Sequence, residues 1–133
     1  MTAYRVEIIA VGTELLLGNV ANTDAQFLSE MLASVGVDVL YHTAVGDNPA
    51  RLREVVDIAR GRANLLVFTG GLGPTYDDMT KQTVCEAFGL GLEFHPEIVE
   101  EIRHYFDTVF RREMPACNLQ QAYLPRGCTV LHN

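Results

Sequence analysis

Three mostly aliphatic runs, each stopped by glycine and separated by helix-length stripes, govern what this chain can fold into. Val6 to Val11 (VEIIAV) stops at Gly12, Val37 to Val45 stops at Gly46, and Leu65 to Thr69 runs into GGLGP. Such runs suit strands buried on both faces of a parallel sheet. After Asn22, apolar residues at Phe27, Leu28, Met31, Leu32 and Val35 follow helical spacing, and Gly36 stands where a helix ends. Asn48 reads as the N-cap of a second helix with Pro49 at its first position. Its inward stripe is Leu52, Val55, Val56 and Ala59, and its end is at Gly61. Strand, helix, strand, helix, strand makes two right-handed crossovers, which predicts a three-layer α/β sandwich with a mostly parallel sheet and helices on both faces.

Beyond that core, Thr80 is expected to cap a helix running to Phe88 with Gly89 behind it. Pro96 is expected to open another, with its stripe at Ile98, Ile102, Tyr105, Phe106 and Val109. The final GCTVLHN reads as the start of one more strand, so the chain is expected to stop short of its full sheet. Residues 1–133 are read as one domain, without repeats or low-complexity segments.

Seventeen acidic residues stand against ten Lys and Arg, for a net charge of -7. Arg111 and Arg112 are followed by Glu113, so no basic cluster offers itself to nucleic acid or an anionic membrane. Cys85, Cys117 and Cys128 lack metal-binding spacing and are expected to be free buried thiols. No apolar run reaches the about 18 residues of a membrane span, and the start has no basic region or cleavage site. A cytoplasmic setting is the expectation.

Ligands of open parallel sheets sit beyond the carboxyl ends of the strands. There the chain places Gly12, Thr13 and Glu14, then Gly46 and Asp47, then Thr69 to Asp78. Gly70, Gly71 and Gly73 let backbone amides approach an anion, and the following helix adds its positive end. The turn fits neither a Walker loop nor a dinucleotide fingerprint, and a tight connection without ligand is its bland alternative. Acidic groups from three strand ends (Glu14, Asp47, Asp77 and Asp78) point to a divalent cation bridging to substrate phosphates, with Lys81 offsetting part of the charge. Asp78 and Asp77 can equally favour the helix end. Asn22 stands where it can cap the first helix. His42, His95, His104 and His132 are scattered, and His95 reads as a helix-boundary residue. Tyr105, Phe106 and Phe110 read as core or subunit contact.

The blocks VEIIAVGTELLLGNVANTDAQFLSEMLASVGVDVLYHTAVGDN and TGGLGPTYDDMTKQTV, with the spacing between them, resemble the N-terminal domain of the competence/damage-inducible protein A (CinA) family. That family is a branch of the MoaB/Mog-like molybdopterin-binding fold, and the similarity runs from Val6 to Asn133. The resemblance implies that the TGGxGxxxxD loop binds a pterin phosphate or its adenylated form. It also implies that two functional aspartates align with Asp47 and Asp78. CinA-type domains of this kind are credited with metal-dependent pyrophosphatase activity on ADP-ribose, while a separate C-terminal domain, absent here, deamidates nicotinamide mononucleotide. Asn133 falls where the family's NxxGxAPG segment begins, and Asp77 stands where molybdopterin-handling relatives often carry a basic residue.

The resulting expectation is a hydrolase of ADP-ribose or a related nucleotide-sugar diphosphate. Asp47 and Asp78 would be catalytic, and Mg²⁺ or Co²⁺ would be held by Glu14, Asp47, Asp77 and Asp78. Thr13, Asn22, Thr69, Gly70, Gly71, Gly73, Pro74, Thr75 and Lys81 would bind substrate. The alternatives are a molybdopterin-binding or nucleotidyl-transfer domain, with a small phosphorylated nucleotide or pterin as partner, and a non-catalytic assembly domain. A homo-oligomer is expected in each case.

Overall fold

The computed structural model describes residues 3–132. Its centre is a parallel sheet in the order β2-β1-β3, built from β1 (Val6–Val11), β2 (Val39–Val45) and β3 (Leu65–Thr69). All six residues of β1 are buried, as a central strand covered on both faces requires. Ile9 pairs with Thr43 on one side and Phe68 on the other, which aligns the three carboxyl ends along one edge.

The expected layers are present. On one face Ile9, Val11 and Val45 pack against Leu52, Val56 and Ala59 of α3 (Pro49–Arg62) and Ala87 of α4 (Thr80–Ala87). On the other, Val6 and Ile8 meet Ala25, Leu28 and Leu32 of α2 (Thr23–Ser34). Ile8, Ile9, Leu52 and Val56 are fully buried, each contributing about 1.5–3 kcal/mol of transfer free energy. Asn22 and Asn48 cap their helices through Oδ1, accepting from the N–H of Ala25 (3.2 Å) and of Arg51 (3.0 Å).

Several boundaries differ from the expectation for local reasons. β2 begins at Val39 because Val37 N–H is spent on the Leu32 carbonyl at the end of α2. A one-turn helix, α1 (Thr13–Leu16), follows β1 directly. α3 runs through Gly61 to Arg62, whose guanidinium is anchored elsewhere in the fold. Met79, not Thr80, occupies the N-cap of α4; the Thr80 hydroxyl is turned into the preceding loop. Of the helically spaced apolar residues, Leu28 and Leu32 pack on the sheet, while Phe27 and Met31 of α2 and Val35 at its C-cap are exposed.

The C-terminal part departs further. β4 (Leu92–Phe94) and β5 (Tyr123–Pro125) form an antiparallel ribbon that no alternation announces, since each strand has only three residues. α5 (Pro96–Tyr105) begins at Pro96 with His95 at its N-cap, as expected, and continues into a π-helical turn, Phe106–Phe110. Phe106 is buried, while Tyr105, Val109 and Phe110 are exposed. A 3-10 helix, Ala116–Ala122, leads into β5. The expected strand at GCTVLHN does not form through His132, because the chain turns at Arg126 and Gly127 with Cys128 N–H on the Pro125 carbonyl. Asn133 lies outside the described residues. Of the three free cysteines only Cys85 is buried; Cys117 and Cys128 are exposed. Among the described residues no helix is long and apolar enough to cross a membrane.

Candidate functional site

The ends of β1 and β2 are tied together before any ligand is considered. Gly12 N–H donates to the Val45 carbonyl (2.9 Å). Thr13 N–H donates to Asp47 Oδ2 (3.0 Å), and Asp47 N–H donates back to Thr13 Oγ1 (3.1 Å). This reciprocal pair latches the end of β1 to that of β2. Asp47 keeps its second oxygen, Oδ1, without a hydrogen bond among the described residues.

The loop after β3 has a conformation that only glycine adopts freely. Gly70 and Gly71 lie at φ 79° and 61°. A Cβ on Gly70 would run into the Val11 carbonyl oxygen, and one on Gly71 into the Thr80 hydroxyl. Thr80, 1% exposed, holds this geometry: its Oγ1 donates to the Gly70 carbonyl (2.8 Å) and its N–H to the Gly71 carbonyl (3.1 Å). Further along, Asp78 Oδ2 accepts from Thr75 N–H (2.8 Å) and Thr75 Oγ1 (2.6 Å). Gly73 permits that fold-back, since a Cβ there would lie 2.6 Å from Asp78 Oδ2. The Thr75 hydrogen bonds hold the Asp78 carboxyl below the usual aspartate range, so it is ionised at neutral pH.

Two clefts of about 260 Å³ each flank the loop. One lies toward α1 and α2 and is lined by Glu14, Asn22, Thr23, Asp24, Thr69 and Gly70. Asn22 caps α2 and also lines this cleft. The other lies toward α4 and the ribbon and is lined by Gly71, Gly73, Asp78, Lys81, Gln120 and Tyr123, among others. Lys81 Nζ donates to the Gln120 carbonyl (2.7 Å), and burial pulls its pKa below the ordinary lysine value. Pro74 and Thr75 lie in the bend before the turn at Tyr76 and Asp77; Thr13, Thr75, Asp47 and Asp77 are exposed. Among the described residues a larger cavity of about 820 Å³ lies between α5, the π-helical turn and residues 130–132. It contains none of the strand-end residues.

The expected four-carboxylate metal centre is not assembled. Among the described residues no three His, Cys, Asp or Glu side chains come together as a group able to hold a metal ion. The reason is local. Asp47 is engaged with Thr13, Asp78 with Thr75, Asp77 is turned to solvent, and the Glu14 carboxylate folds back over Gly12. In this arrangement the four carboxylates do not converge as the oxygen ligands of one divalent ion.

The sequence pattern also passed over residues that share this edge. Gln120 and Tyr123 lie some forty positions beyond the loop, and nothing in QQAYLP marks them until the ribbon carries them to Lys81. Glu7, read as part of an aliphatic strand, is fully buried at the sheet's opposite end. It accepts from Arg62 Nε (2.8 Å), Arg62 Nη2 (2.7 Å) and Thr43 Oγ1 (2.7 Å).

Comparison with known proteins agrees with this architecture. A family model described as "Probable molybdopterin binding domain" matches residues 7–131. A competence-damage inducible protein of Acetivibrio thermocellus is 52% identical over 127 residues, covering 96% of this chain and 30% of the relative. The Bacillus subtilis (strain 168) protein of the same description is 50% identical over 129 residues, covering 97% and 31% respectively. The chain therefore spans about a third of the length of these curated relatives. Among solved structures, CinA from Thermoplasma acidophilum superposes with a TM-score of 0.84 at 28% identity, over 98% of this chain and 76% of that one. MoaB from Thermus thermophilus shares the fold alone, with a TM-score of 0.61 at 23% identity, over 92% and 79%. With almost its whole length matched and about half its residues shared, the chain belongs to the molybdopterin-binding domain family, in its CinA-type branch.

Proposed function

We propose that this domain binds a phosphate-bearing ligand at the carboxyl edge of its parallel sheet and hydrolyses the diphosphate of a nucleotide sugar such as ADP-ribose. The products are AMP and a sugar phosphate. The observation that carries this reading is the left-handed Gly70-Gly71 pair pinned by Thr80. It brings a loop without side chains to the amino end of α4, where backbone N–H groups and the helix dipole favour an anion. Thr13, Asn22, Thr69, Gly73, Pro74, Thr75 and Lys81 would orient the ligand; Asn22 and Thr69 line one flanking cleft, and Gly73 and Lys81 the other.

In the hydrolysis a water oxygen bonds to phosphorus and the bridging P–O bond breaks. The bridging oxygen leaves on the second phosphate, and the proton of the water passes to a carboxylate. Asp47 and Asp78 are the candidates, and the free Oδ1 of Asp47 supports it as the one that orients the water. Because the four carboxylates do not converge, Mg²⁺ or Co²⁺ enters in this reading with the substrate, as the counter-ion of its diphosphate.

The test is AMP release from ADP-ribose with Mg²⁺ or Co²⁺, and then with EDTA; release only with the ion is the expected result. Asp47→Asn is expected to abolish turnover with an unchanged melting temperature, since an Asn carbonyl still accepts the Thr13 N–H. Wild-type turnover in that variant would overturn the assignment.

A second reading, metal-independent binding of a pterin phosphate or its nucleotidyl transfer, is favoured by the engagement of Asp78 with Thr75 in place of other carboxylates. Titration with molybdopterin and ADP-ribose, each with and without Mg²⁺, separates the two. In both readings the domain is taken as a homo-oligomer, supported by Phe27, Met31 and Val35 exposed along one side of α2.

A further inference from the structure

Each cleft beside the glycine loop measures about 260 Å³, below the roughly 300–1,000 Å³ of sites that enclose a whole drug-sized ligand. Each therefore suits one part of a ligand whose phosphate lies at the loop. The two are chemically unlike. The cleft toward α2 is lined by Glu14, Asn22, Asp24 and Thr69 beside the aliphatic Leu15 and Val20, with no aromatic ring. The cleft toward the ribbon has the glycine loop, Asp78 and Lys81 on one side, and Leu92, Gln120 and Tyr123 on the other.

That second wall has the parts of a ring-binding site. Tyr123 stands opposite Phe94 in the ribbon, and the two rings are 5.1 Å apart at 49°. Phe94 braces the tyrosine, which nevertheless stays 44% exposed and borders the cleft. The Gln120 carbonyl is fixed on Lys81, while its side-chain carboxamide makes no hydrogen bond among the described residues. The neighbouring amides are taken: Gln82 donates to Glu86 and Gln121 accepts from Asn118. A free carboxamide presents one donor group beside one acceptor, the complement of a ring that carries an amino group next to a ring nitrogen.

We infer that this cleft is a heterocycle subsite, in which Tyr123 stacks on, and the Gln120 carboxamide pairs with, the amino-substituted heteroaromatic ring of a phosphate-bearing ligand. The inference rests on the reading of the Gly70-Gly71 loop as a phosphate site and adds what lies beside the phosphate. Adenine in a nucleotide and the aminopterin ring of a phosphorylated pterin share the required edge.

The experiment is calorimetric titration of the full chain with AMP, ribose 5-phosphate and 6-hydroxymethylpterin phosphate. The wild type is compared with Tyr123→Phe, Tyr123→Leu, Tyr123→Ala and Gln120→Ala. The expected result is that the wild type binds at least one ring-bearing phosphate more tightly than ribose 5-phosphate. Tyr123→Ala and Tyr123→Leu should weaken that ligand about tenfold and leave ribose 5-phosphate unchanged, while Tyr123→Phe keeps both. Gln120→Ala should likewise weaken the ring-bearing ligand and leave ribose 5-phosphate unchanged. Tyr123→Leu preserves bulk in the ribbon and decides the matter if the alanine variant does not fold. Equal weakening of ring-bearing and ring-free ligands, or none, overturns the subsite while leaving the phosphate site in place. Failure of the wild type to bind any of the three removes both. If the ring contribution appears, the tighter of AMP and the pterin identifies the source of the ring.

Discussion

Thr80 shows how much of the anion loop depends on a single hydroxyl. Its Oγ1 and N–H occupy the carbonyls of the two left-handed glycines in turn, and it is 1% exposed. Thr80→Val keeps the shape but leaves the Gly70 carbonyl without its donor, a loss of about 1–3 kcal/mol. Urea denaturation should show that loss, and phosphate-ligand titration a weaker affinity; Thr80→Ser should restore both. A valine variant that binds as the wild type does would remove the hydroxyl's positioning role. Asp78 behaves differently under pH. Thr75 keeps its carboxyl below the ordinary aspartate value of 3.8, so no change in its charge is expected anywhere near neutrality.

At the scale of elements, Glu7, Thr43 and Arg62 join β1, β2 and α3 at the end of the sheet remote from the loop. Arg62 also stacks on Tyr41, 4.0 Å from its ring centre. Arg62 chiefly, through its hydrogen bonds, lowers the Glu7 pKa from the ordinary 4.5. A depressed folded-state pKa contributes stability that is present above 4.5 and lost as pH falls through the folded value. The two partners are not equivalent, because the Glu7 side chain is 0% exposed and that of Arg62 36%. Arg62→Met leaves the Glu7 carboxylate without its charged partner and is expected to destabilise the fold at neutral pH. In that variant burial without a partner raises the Glu7 pKa. Its stability should therefore improve as pH is lowered from 7 toward 4.5, where the wild type shows no such gain. Denaturant midpoints across that range check the sign.

The whole molecule places its candidate site between two parts of the chain that lie far apart in sequence. The sheet edge supplies the glycine loop and Asp47, and the ribbon with the 3-10 helix supplies Gln120 and Tyr123, joined to α4 through Lys81. At this scale the exposed stripe on α2 matters too, with Phe27 61%, Met31 52% and Val35 70% exposed. If it is a subunit contact, light scattering should give a defined oligomer, and Phe27→Asp combined with Met31→Asp should give a folded monomer; an unchanged mass would exclude that face. Much of the fold was legible in the chain. β1, β3 and the caps at Asn22 and Asn48 follow from signals spanning a few residues. The Gly70-Gly71 turn is legible for the same reason, since backbone freedom is a local property. How the four carboxylates are oriented was not legible, because residues near one edge say nothing about where each side chain turns; Thr13 and Thr75 decided that for Asp47 and Asp78. By itself the sequence determined the alternation of strands and helices and the glycine loop at the strand ends. Only the tertiary structure decided that Glu7 is half of a buried ion pair, that the loop divides two clefts, and that Tyr123 reaches one of them. Propensity and capping act over a turn or two of chain, whereas side-chain neighbours are set by how distant elements pack.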